Sequence, residues 1–174
     1  MHDLKTLIRN VQDFPKPGIG FKDITTLLQQ GKAFRESIDQ MASLYNPKDI
    51  DVIVGIEARG FIFASALAYK WRKSFVPIRK PGKLPAETVR EDYALEYGTD
   101  AIEIHKDGIA KSQRVLIVDD LLATGGTVAA AARLIEKLGG RVAGIIFLIE
   151  LTFLNGVKRL ERYRVDSLIK FDSE

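Results

Sequence analysis

Two adjacent carboxylates and a glycine-containing loop stand close together in the second half of the chain. Asp119 and Asp120 are separated by three residues from the run Thr-Gly-Gly-Thr at 124–127. Carboxylates suit vicinal sugar hydroxyls or a metal ion, whereas glycines let backbone N–H groups approach a phosphate closely. Because the carboxylates would repel that phosphate, the two features suit opposite ends of one ligand. The spacing therefore predicts a ribose 5-phosphate site.

The elements on either side of this site must position it. The run 115–118 is apolar and β-branched, which is typical of a strand buried on both faces, and it stops at the two acids. Residues 128–138 have helical periodicity and end at two glycines. Strand, loop and helix in this order direct the N–H groups and the positive end of the helix dipole at the loop. The alternative is a simple turn with a good helix cap, and the paired acids favour the phosphate site instead.

A second strand–loop–helix unit precedes the first. Residues 52–56 predict another buried strand, residues 57–60 read Glu-Ala-Arg-Gly, and a helix is expected from 61 to about 71. Arg59 therefore lies at the carboxyl end of a strand, where open parallel sheets bind ligands. Its type and position alone leave two interpretations open, a solvated arginine or a contact with an anionic ligand.

A long segment without clear periodicity follows the third predicted strand, 75–79. It covers residues 80–100, starts with a basic group of side chains and continues with aromatic and acidic ones. Loops of this length inside a compact domain are usually lids or disordered segments. We expect a lid that closes over an anionic substrate, and the alternative is a mobile surface hairpin.

The rest of the pattern predicts an α/β domain. Apolar spacing indicates a short amphipathic helix over 4–11, irregular structure over 14–21 and a longer helix over 33–45. Strands are expected at 101–105, 142–151 and 165–171, with a short helix at 157–163. Strands that alternate with helices through most of the length indicate a mainly parallel sheet.

Length and composition restrict the class of protein. The 174 residues suit a single domain, residues 1–174, and 46% are apolar and 28% charged, as in ordinary globular proteins. The net charge of +3 is small and shows no cluster, so we expect no nucleic-acid partner. There is no cysteine, no apolar run of membrane-spanning length and no signal-peptide core at the N-terminus. We therefore expect a cytoplasmic protein without a membrane partner.

The segment VLIVDDLLATGGT resembles the ribose-phosphate signature of the type I phosphoribosyltransferases, and its Leu-Leu-Ala insert is similar to that of the adenine phosphoribosyltransferase family. FPKPGIGFKDIT is similar to the base-binding segment of that family, GIEARGF to its pyrophosphate loop, and RKPGKLP with LEYG to its flexible catalytic loop. The resemblance thus extends over essentially the whole chain. It implies a mainly parallel central sheet flanked by helices, a flexible loop at 79–100 and a small N-terminal base-binding region at 1–30.

The resemblance also implies a reaction and a set of contacts. The family transfers the 5-phosphoribosyl group from 5-phosphoribosyl 1-pyrophosphate to adenine, with Mg²⁺ held mainly by the substrate and usually as a homodimer. The expected ribose 5-phosphate contacts are Asp119, Asp120, Ala123, Thr124, Gly125, Gly126 and Thr127. The expected pyrophosphate contacts are Arg59, Arg79 and Lys83, and the expected adenine contacts are Gly20, Phe21 and Lys22. Glu96 is the expected general acid or base, with Tyr97 beside it.

Two details qualify these assignments. Lys22 occupies a position where some family members have arginine, which is harmless if only backbone contacts matter there. Glu103 is a rival for the role of Glu96, but its place in an alternating strand favours a fixed structural position.

Three other functions share part of the pattern. A xanthine or hypoxanthine-guanine phosphoribosyltransferase would have the same central motif, although LEYG and FKDIT favour adenine. A purine-sensing regulator would bind 5-phosphoribosyl 1-pyrophosphate, which we also call the sugar diphosphate, without catalysis. We expect such a regulator to carry a basic recognition helix that this sequence lacks. A phosphorelay receiver also has two acids after an apolar strand, but it would need more strand–helix units beyond Asp120 than the sequence offers.

Overall fold

The structure is a computed structural model that describes residues 3–94 and 98–173. Within these residues it has four α-helices and nine strands. The helices are α1 Thr25–Leu28, α2 Gly31–Ser43, α3 Gly60–Trp71 and α4 Gly126–Lys137. The strands are β1 Arg9–Val11, β2 Phe21–Asp23, β3 Val52–Ile56, β4 Ser74–Ile78, β5 Thr88–Ala94, β6 Thr99–His105, β7 Arg114–Leu122, β8 Arg141–Leu151 and β9 Val165–Phe171. Short 3₁₀ turns complete the chain, among them Leu4–Leu7 and Gly156–Leu160.

A five-stranded parallel sheet forms the centre of the fold, in the order β4-β3-β7-β8-β9. Helices α1 to α3 pack on one face of the sheet, and α4 and the β5–β6 hairpin pack on the other. The central strands β3 and β7 are therefore covered on both sides, which explains their continuous apolar runs. The predicted α/β class with a parallel sheet is confirmed.

The strand order reverses between β3 and β7. From β3 the chain crosses through α3 to β4 on one side, whereas β7, β8 and β9 extend the sheet on the other side. In open parallel sheets the crevice at such a reversal, beyond the carboxyl ends of the strands, is where ligands bind. The segments that follow β3 and the acidic end of β7 meet there.

The position of the acidic pair differs from the prediction. Asp119 and Asp120 lie inside β7, which continues to Leu122, and do not follow its end. The pairing of β7 with β3 stops at Val118, but its pairing with the longer strand β8 continues past Asp119. The acids therefore project beyond β3 while their backbone is still held by β8.

The N-terminal prediction of one amphipathic helix is wrong. A 3₁₀ turn, Leu4–Leu7, is followed by β1, which pairs antiparallel with β2. Asp3 caps the turn by accepting a hydrogen bond from the Lys5 N–H, and Thr26 Oγ1 donates to the Leu7 carbonyl at 2.6 Å. Pairing with β2 thus supplies backbone hydrogen bonds that a longer helix would have made within itself. Phe21 accordingly lies in a strand and not in the irregular segment.

The long segment 80–100 contains more regular structure than predicted, and the lid over an anionic substrate stays a prediction. Strands β5 and β6 pair from Thr88 with His105 to Ala94 with Thr99. Glu91 on β5 forms ion pairs with Arg133 and Lys137 on α4, so the hairpin is attached to the helix that begins at the phosphate loop. This attachment depends on residues about 40 positions away, which local periodicity does not report.

Two smaller results complete the fold. The predicted helix over 157–163 is instead the 3₁₀ turn Gly156–Leu160, followed by a separate turn before β9. No helix in residues 3–94 and 98–173 combines the length and the apolar character that crossing a membrane requires.

Candidate active site

A cavity of about 270 Å³ opens at the carboxyl ends of β3 and β7. We call it the sugar cavity. It brings together all the residues predicted for ribose 5-phosphate and one of those predicted for pyrophosphate. Its lining includes Arg59, Asp119, Asp120, Ala123, Thr124, Gly125, Gly126 and Thr127, and also Glu57, Lys80 and Tyr93.

The loop 123–127 is shaped by close backbone contacts. Gly125 has a φ of +80°, and a Cβ added to it would lie 2.5 Å from the Gly156 carbonyl oxygen. A Cβ on Gly156 would in turn collide with the Ala123 carbonyl. Two glycines thus let the 3₁₀ turn Gly156–Leu160 pack directly against the loop. Helix α4 begins at Gly126, so the first N–H groups of the helix lie at the sugar cavity without helical partners.

The acidic pair lies at the inner wall of the sugar cavity. Asp120 is only 6% exposed, and its backbone N–H donates to Asp119 Oδ1 at 2.9 Å. Burial and the neighbouring Asp120 charge raise the pKa of Asp119 well above its usual range. Burial also raises the pKa of Asp120, against the opposing effect of the Arg59 guanidinium. A Cβ on Gly60 would lie 2.5 Å from Asp119 Oδ1, so only glycine lets α3 start this close to the carboxylate.

Arg59, between β3 and α3, joins the acidic pair to the N-terminal segment. Its Nη2 lies 2.8 Å from Asp120 Oδ2, and its Nη1 donates to the Lys22 carbonyl at 3.4 Å. The guanidinium carbon lies 4.7 Å from the centroid of the Phe21 ring. Partners from two parts of the chain, Asp120 of β7 and the neighbouring Phe21 and Lys22 of β2, therefore hold this side chain. The interpretation of Arg59 as a freely solvated arginine is wrong.

A second cavity, of about 370 Å³, lies beside the first and is bounded by aromatic rings. We call it the aromatic cavity. Phe14, Phe21 and Arg59 contribute to its lining, together with Val11, Asp23 and Thr25. The rings of Phe14 and Phe21 meet edge to face at 5.1 Å. Phe14 is nevertheless 50% exposed, which leaves an apolar surface available to a flat ligand.

The other two residues predicted for the base are placed differently from Phe21. Neither Gly20 nor Lys22 lines the aromatic cavity. The Lys22 side chain is 4% exposed and points away: Nζ donates to Asn10 Oδ1 at 3.1 Å and lies 4.5 Å from the centroid of Phe171. Only its carbonyl faces the site, through Arg59. This agrees with a position at which the backbone matters more than the side chain.

Arg79 and Lys83, predicted for pyrophosphate, lie at the edge of the sugar cavity with Glu57. Glu57 accepts hydrogen bonds from Lys83 Nζ, from the Lys80 N–H and from Arg79 Nε. Although burial opposes ionisation, these bonds lower the pKa of Glu57 to about 2. Glu57 lines the sugar cavity, whereas Arg79 and Lys83 do not. The Glu57 carboxylate thus holds Arg79, Lys80 and Lys83 together as a basic cluster at the rim of the sugar cavity.

Besides Glu57, three polar residues at or near the sugar cavity were not among the predicted contacts. Lys80 lines the cavity, forms an ion pair with Asp100 and donates to Tyr93 Oη at 3.2 Å. Its place in a basic run beside Arg79 was a usable signal. Tyr93 is buried in the hairpin and also lines the cavity. Arg159 Nη1 lies 3.6 Å from where a Gly126 Cβ would be, and no sequence pattern marked it.

The two predicted catalytic residues, Glu96 and Tyr97, lie outside the described residues. Their rival, Glu103, sits in β6, where its backbone pairs with Arg79 and its Oε2 accepts from the Gly82 N–H at 3.2 Å. The fixed structural position predicted for Glu103 is therefore confirmed. Among residues 3–94 and 98–173 there is no cluster of three or more histidines and acids suited to a metal ion.

Comparison with known proteins bears on this geometry. Residues 23–173 match the phosphoribosyl transferase domain. The chain is 59% identical to the adenine phosphoribosyltransferase of Clostridium perfringens, over 97% of this chain and 98% of that protein. It is similar to the crystal structure of the Thermoanaerobacter pseudethanolicus enzyme of the same name, with a TM-score of 0.95, 57% identity and coverage of 97% and 98%.

A more distant structure carries ligands. The adenine phosphoribosyltransferase of Saccharomyces cerevisiae was crystallised with adenine and an imino-altritol 1,6-bisphosphate. The present chain matches it with a TM-score of 0.89 and 39% identity, over 94% of each chain.

Proposed function

The chain belongs to the adenine phosphoribosyltransferase family, and we infer that it transfers the 5-phosphoribosyl group of 5-phosphoribosyl 1-pyrophosphate to adenine. The products are AMP and pyrophosphate, a purine-salvage reaction. The observation that carries this function is one cavity lined both by a pair of adjacent carboxylates, of which Asp120 is buried and Asp119 half-buried, and by a bare glycine loop. An aromatic cavity for a flat base adjoins it.

The sugar phosphate fits the two sides of the sugar cavity. The loop 123–127 would receive the 5-phosphate on its N–H groups and on the hydroxyls of Thr124 and Thr127. Asp119 and Asp120 would accept hydrogen bonds from the ribose hydroxyls. Asp120 Oδ2 is buried and has no hydrogen-bond partner among the described residues, although Arg59 is close enough for an ion pair. A ribose hydroxyl would satisfy that oxygen.

The leaving group would meet the basic side of the site. Arg59 and Lys80 already line the sugar cavity, and Arg79 and Lys83 lie just outside it with Glu57. Pyrophosphate gains negative charge as its bond to the sugar breaks, so fixed cations there stabilise the transition state more than the ground state. We propose that all four residues contact or surround the pyrophosphate.

The base would stack in the aromatic cavity. Phe21 offers a ring face. We propose that the backbone at Gly20 and Lys22 reads the edge of the purine, once the Lys22 carbonyl is released by Arg59. The relatives named adenine phosphoribosyltransferase favour adenine over a 6-oxopurine. Since backbone groups can present either donors or acceptors, the competing 6-oxo bases belong in the test below.

The chemistry is a substitution at the anomeric carbon. The bond from C1′ to the pyrophosphate oxygen breaks, a bond from C1′ to N9 of adenine forms, and one proton leaves the imidazole ring of the base. We propose Glu96 as the group that receives this proton, with Tyr97 beside it, because both follow β5, whose Tyr93 lines the sugar cavity. Replacement of Glu96 by alanine should then lower kcat far more than the affinity for the sugar diphosphate.

Magnesium fits this site as a companion of the substrate. Mg²⁺ prefers oxygen ligands, and the only acidic oxygens facing the interior of the proposed sugar site, among the described residues, are those of Glu57, Asp119 and Asp120. Glu57 is occupied by its basic partners. We therefore propose that pyrophosphate oxygens and ribose hydroxyls would supply most of the ligands of the Mg²⁺ ion. Its positive charge would then stabilise the leaving group.

We also propose a homodimer through α3 and the edge strand β4. Phe61, Ser65 and Tyr69 lie at i, i+4 and i+8 on one face of α3, and Tyr69 is 88% exposed. Phe61 packs edge to face on Phe75 of β4 at 5.7 Å, so the apolar surface continues onto the sheet edge. A second copy would cover both features. Sedimentation should give a dimer for the wild type and a smaller species for Tyr69→Asp, with Lys48→Asp as control.

We place the reaction in the cytoplasm. A sugar diphosphate carries several negative charges and does not cross a bilayer unaided, so the enzyme must act where this substrate is made.

The decisive experiment is to incubate the protein with adenine, 5-phosphoribosyl 1-pyrophosphate and Mg²⁺ and to measure AMP. AMP should form with adenine and far more slowly with guanine, hypoxanthine or xanthine as base. Asp120→Asn should reduce the rate by at least about 100-fold, whereas Asp49→Asn, an exposed acid of the same type, should not. Turnover of a 6-oxopurine, with no turnover of adenine, would refute adenine as the substrate. Binding of 5-phosphoribosyl 1-pyrophosphate without turnover of any base would favour the purine-sensing regulator.

A further inference from the structure

Arg59 lines both the sugar cavity and the aromatic cavity. On the proposed function, C1′ of the sugar sits in the first cavity and N9 of adenine in the second. These atoms must come within bonding distance, so the two cavities have to join during the reaction. The guanidinium of Arg59 lies between them in the present structure.

The contacts of Arg59 explain why it stays there. Its ion pair with Asp120 holds one side, and the face of Phe21 at 4.7 Å holds the other. A guanidinium on an aromatic face occupies the surface on which a purine would stack. The hydrogen bond to the Lys22 carbonyl takes up a backbone group that is one of the proposed base contacts. In this position Arg59 competes with adenine for both ring and backbone.

We propose that Arg59 keeps the adenine site closed until the sugar diphosphate binds. This inference rests on the proposed function and adds to it a role for Arg59 at the adenine site. Ribose hydroxyls would take over the carboxylate of Asp120, which removes the partner of Arg59 on that side. The pyrophosphate carries more negative charge than one carboxylate and is a better bidentate partner for a guanidinium. Arg59 then turns to the leaving group and uncovers Phe21.

Two consequences follow for binding. Adenine should bind weakly to the free protein and more tightly once the sugar and pyrophosphate sites are filled. By thermodynamic linkage, adenine must strengthen the binding of those ligands by the same factor. Couplings of this kind are typically about 5- to 150-fold, and we expect about tenfold or more here.

The test measures adenine affinity by equilibrium dialysis without and with saturating ribose 5-phosphate and magnesium pyrophosphate, which fill the site without reacting. In the wild type the adenine Kd should fall at least about tenfold when both are present. Arg59→Gln should bind adenine more tightly than the wild type when they are absent, and its Kd should change less than twofold on their addition. Arg35→Gln, which removes an exposed arginine of α2, should behave as the wild type.

A second variant tests the same role of Arg59 by removing its partner. Asp120→Asn retains the arginine but removes its ionic partner, so adenine binding to the free protein should also strengthen. If Arg59 only stabilises the structure of the base-binding segment, both variants would instead weaken adenine binding, so the adenine Kd of the free protein would rise and not fall. Thermal melting of each variant confirms that it is folded before its affinity is interpreted.

The outcomes separate this inference from the function beneath it. If the wild type makes AMP but its adenine Kd does not respond to the sugar ligands, or if Arg59→Gln keeps the full response, the gating role is refuted and the function stands. If no AMP forms from adenine, the function itself fails.

Discussion

The loop that follows β7 and the segment that carries Phe21 face the same arginine, but the protein holds them in different ways. The loop 123–127 lies between the central sheet and α4, and backbone contacts with Gly156 determine its shape. The base segment is a two-stranded ribbon, β1–β2, outside the main sheet, and it exposes half of Phe14. One region is built into the core, and the other is attached to it.

This difference corresponds to the two substrates. A phosphate site needs N–H groups in fixed positions, and a rigid loop at a helix N-terminus supplies them before the ligand arrives. A planar base gains most of its affinity from stacking, which a ring on a ribbon can provide after a small movement. We therefore expect the sugar-phosphate side to be sensitive to backbone shape and the base side to side-chain identity.

The largest effect is expected from Gly125→Ala. The added Cβ would meet the Gly156 carbonyl and would force a positive φ on alanine, so kcat/KM for the sugar diphosphate should fall at least about 100-fold. Gly18, in the base segment, has a φ of +83° with nothing near its Cβ, and Gly18→Ala should change kcat/KM only severalfold. Equal losses in steady-state kinetics would contradict the contrast between the two regions.

Glu57→Gln tests the basic cluster at the rim between these regions. The folded-state pKa of Glu57 is about 2, below its ordinary value of 4.5, so its contribution to stability is present above pH 4.5 and disappears as the pH falls towards 2. The variant should lose on the order of 2 kcal/mol of unfolding free energy at pH 7, and the difference should shrink below pH 4.5. Urea denaturation at several pH values measures this, with the exposed Glu87→Gln as control. A pH-independent difference would exclude the electrostatic cause.

Phe21→Leu is expected to weaken the binding of adenine and to leave the binding of the sugar diphosphate unchanged. Loss of the ring face should cost about 1–2 kcal/mol of stacking, which raises KM for adenine about tenfold and leaves KM for the sugar diphosphate within about twofold. Phe34→Leu removes a similar edge-to-face contact, with Phe63 at 5.9 Å in the core, and should leave both KM values unchanged. Equal increases in both constants for Phe21→Leu would mean that the ribbon also shapes the sugar site.

The smallest effect is expected from Arg159→Gln. A cation at a helix N-terminus is unfavourable without an anion, and among the described residues Arg159 has no ionic partner. It should therefore strengthen 5-phosphate binding from an exposed position, so the variant should raise KM for the sugar diphosphate about threefold, less at high salt. Arg162 forms an ion pair with Glu136, and Arg162→Gln is the matched control. A rise in KM for adenine alone would assign Arg159 to another role.

Prediction from the sequence succeeded where the signal is local. The units β3–α3 and β7–α4 follow from apolar runs, periodicity and glycine positions, because short stretches of chain determine those elements. It failed for the helix expected over 4–11 and did not show the strands within 80–100, because β1 and the β5–β6 hairpin depend on partners elsewhere in the chain. The roles of the site residues remain predictions that the variants above can test.

The amino-acid sequence alone was thus enough to bring the acidic pair and the glycine loop to one site, since both belong to the same strand–loop–helix unit. Only the folded chain decided that Arg59 lies between Asp120 and Phe21, which are 61 and 38 residues away from it. The reason is physical: contacts within one element follow from its own periodicity, whereas an ion pair across elements depends on the order of strands in the sheet and on the ribbon beside it.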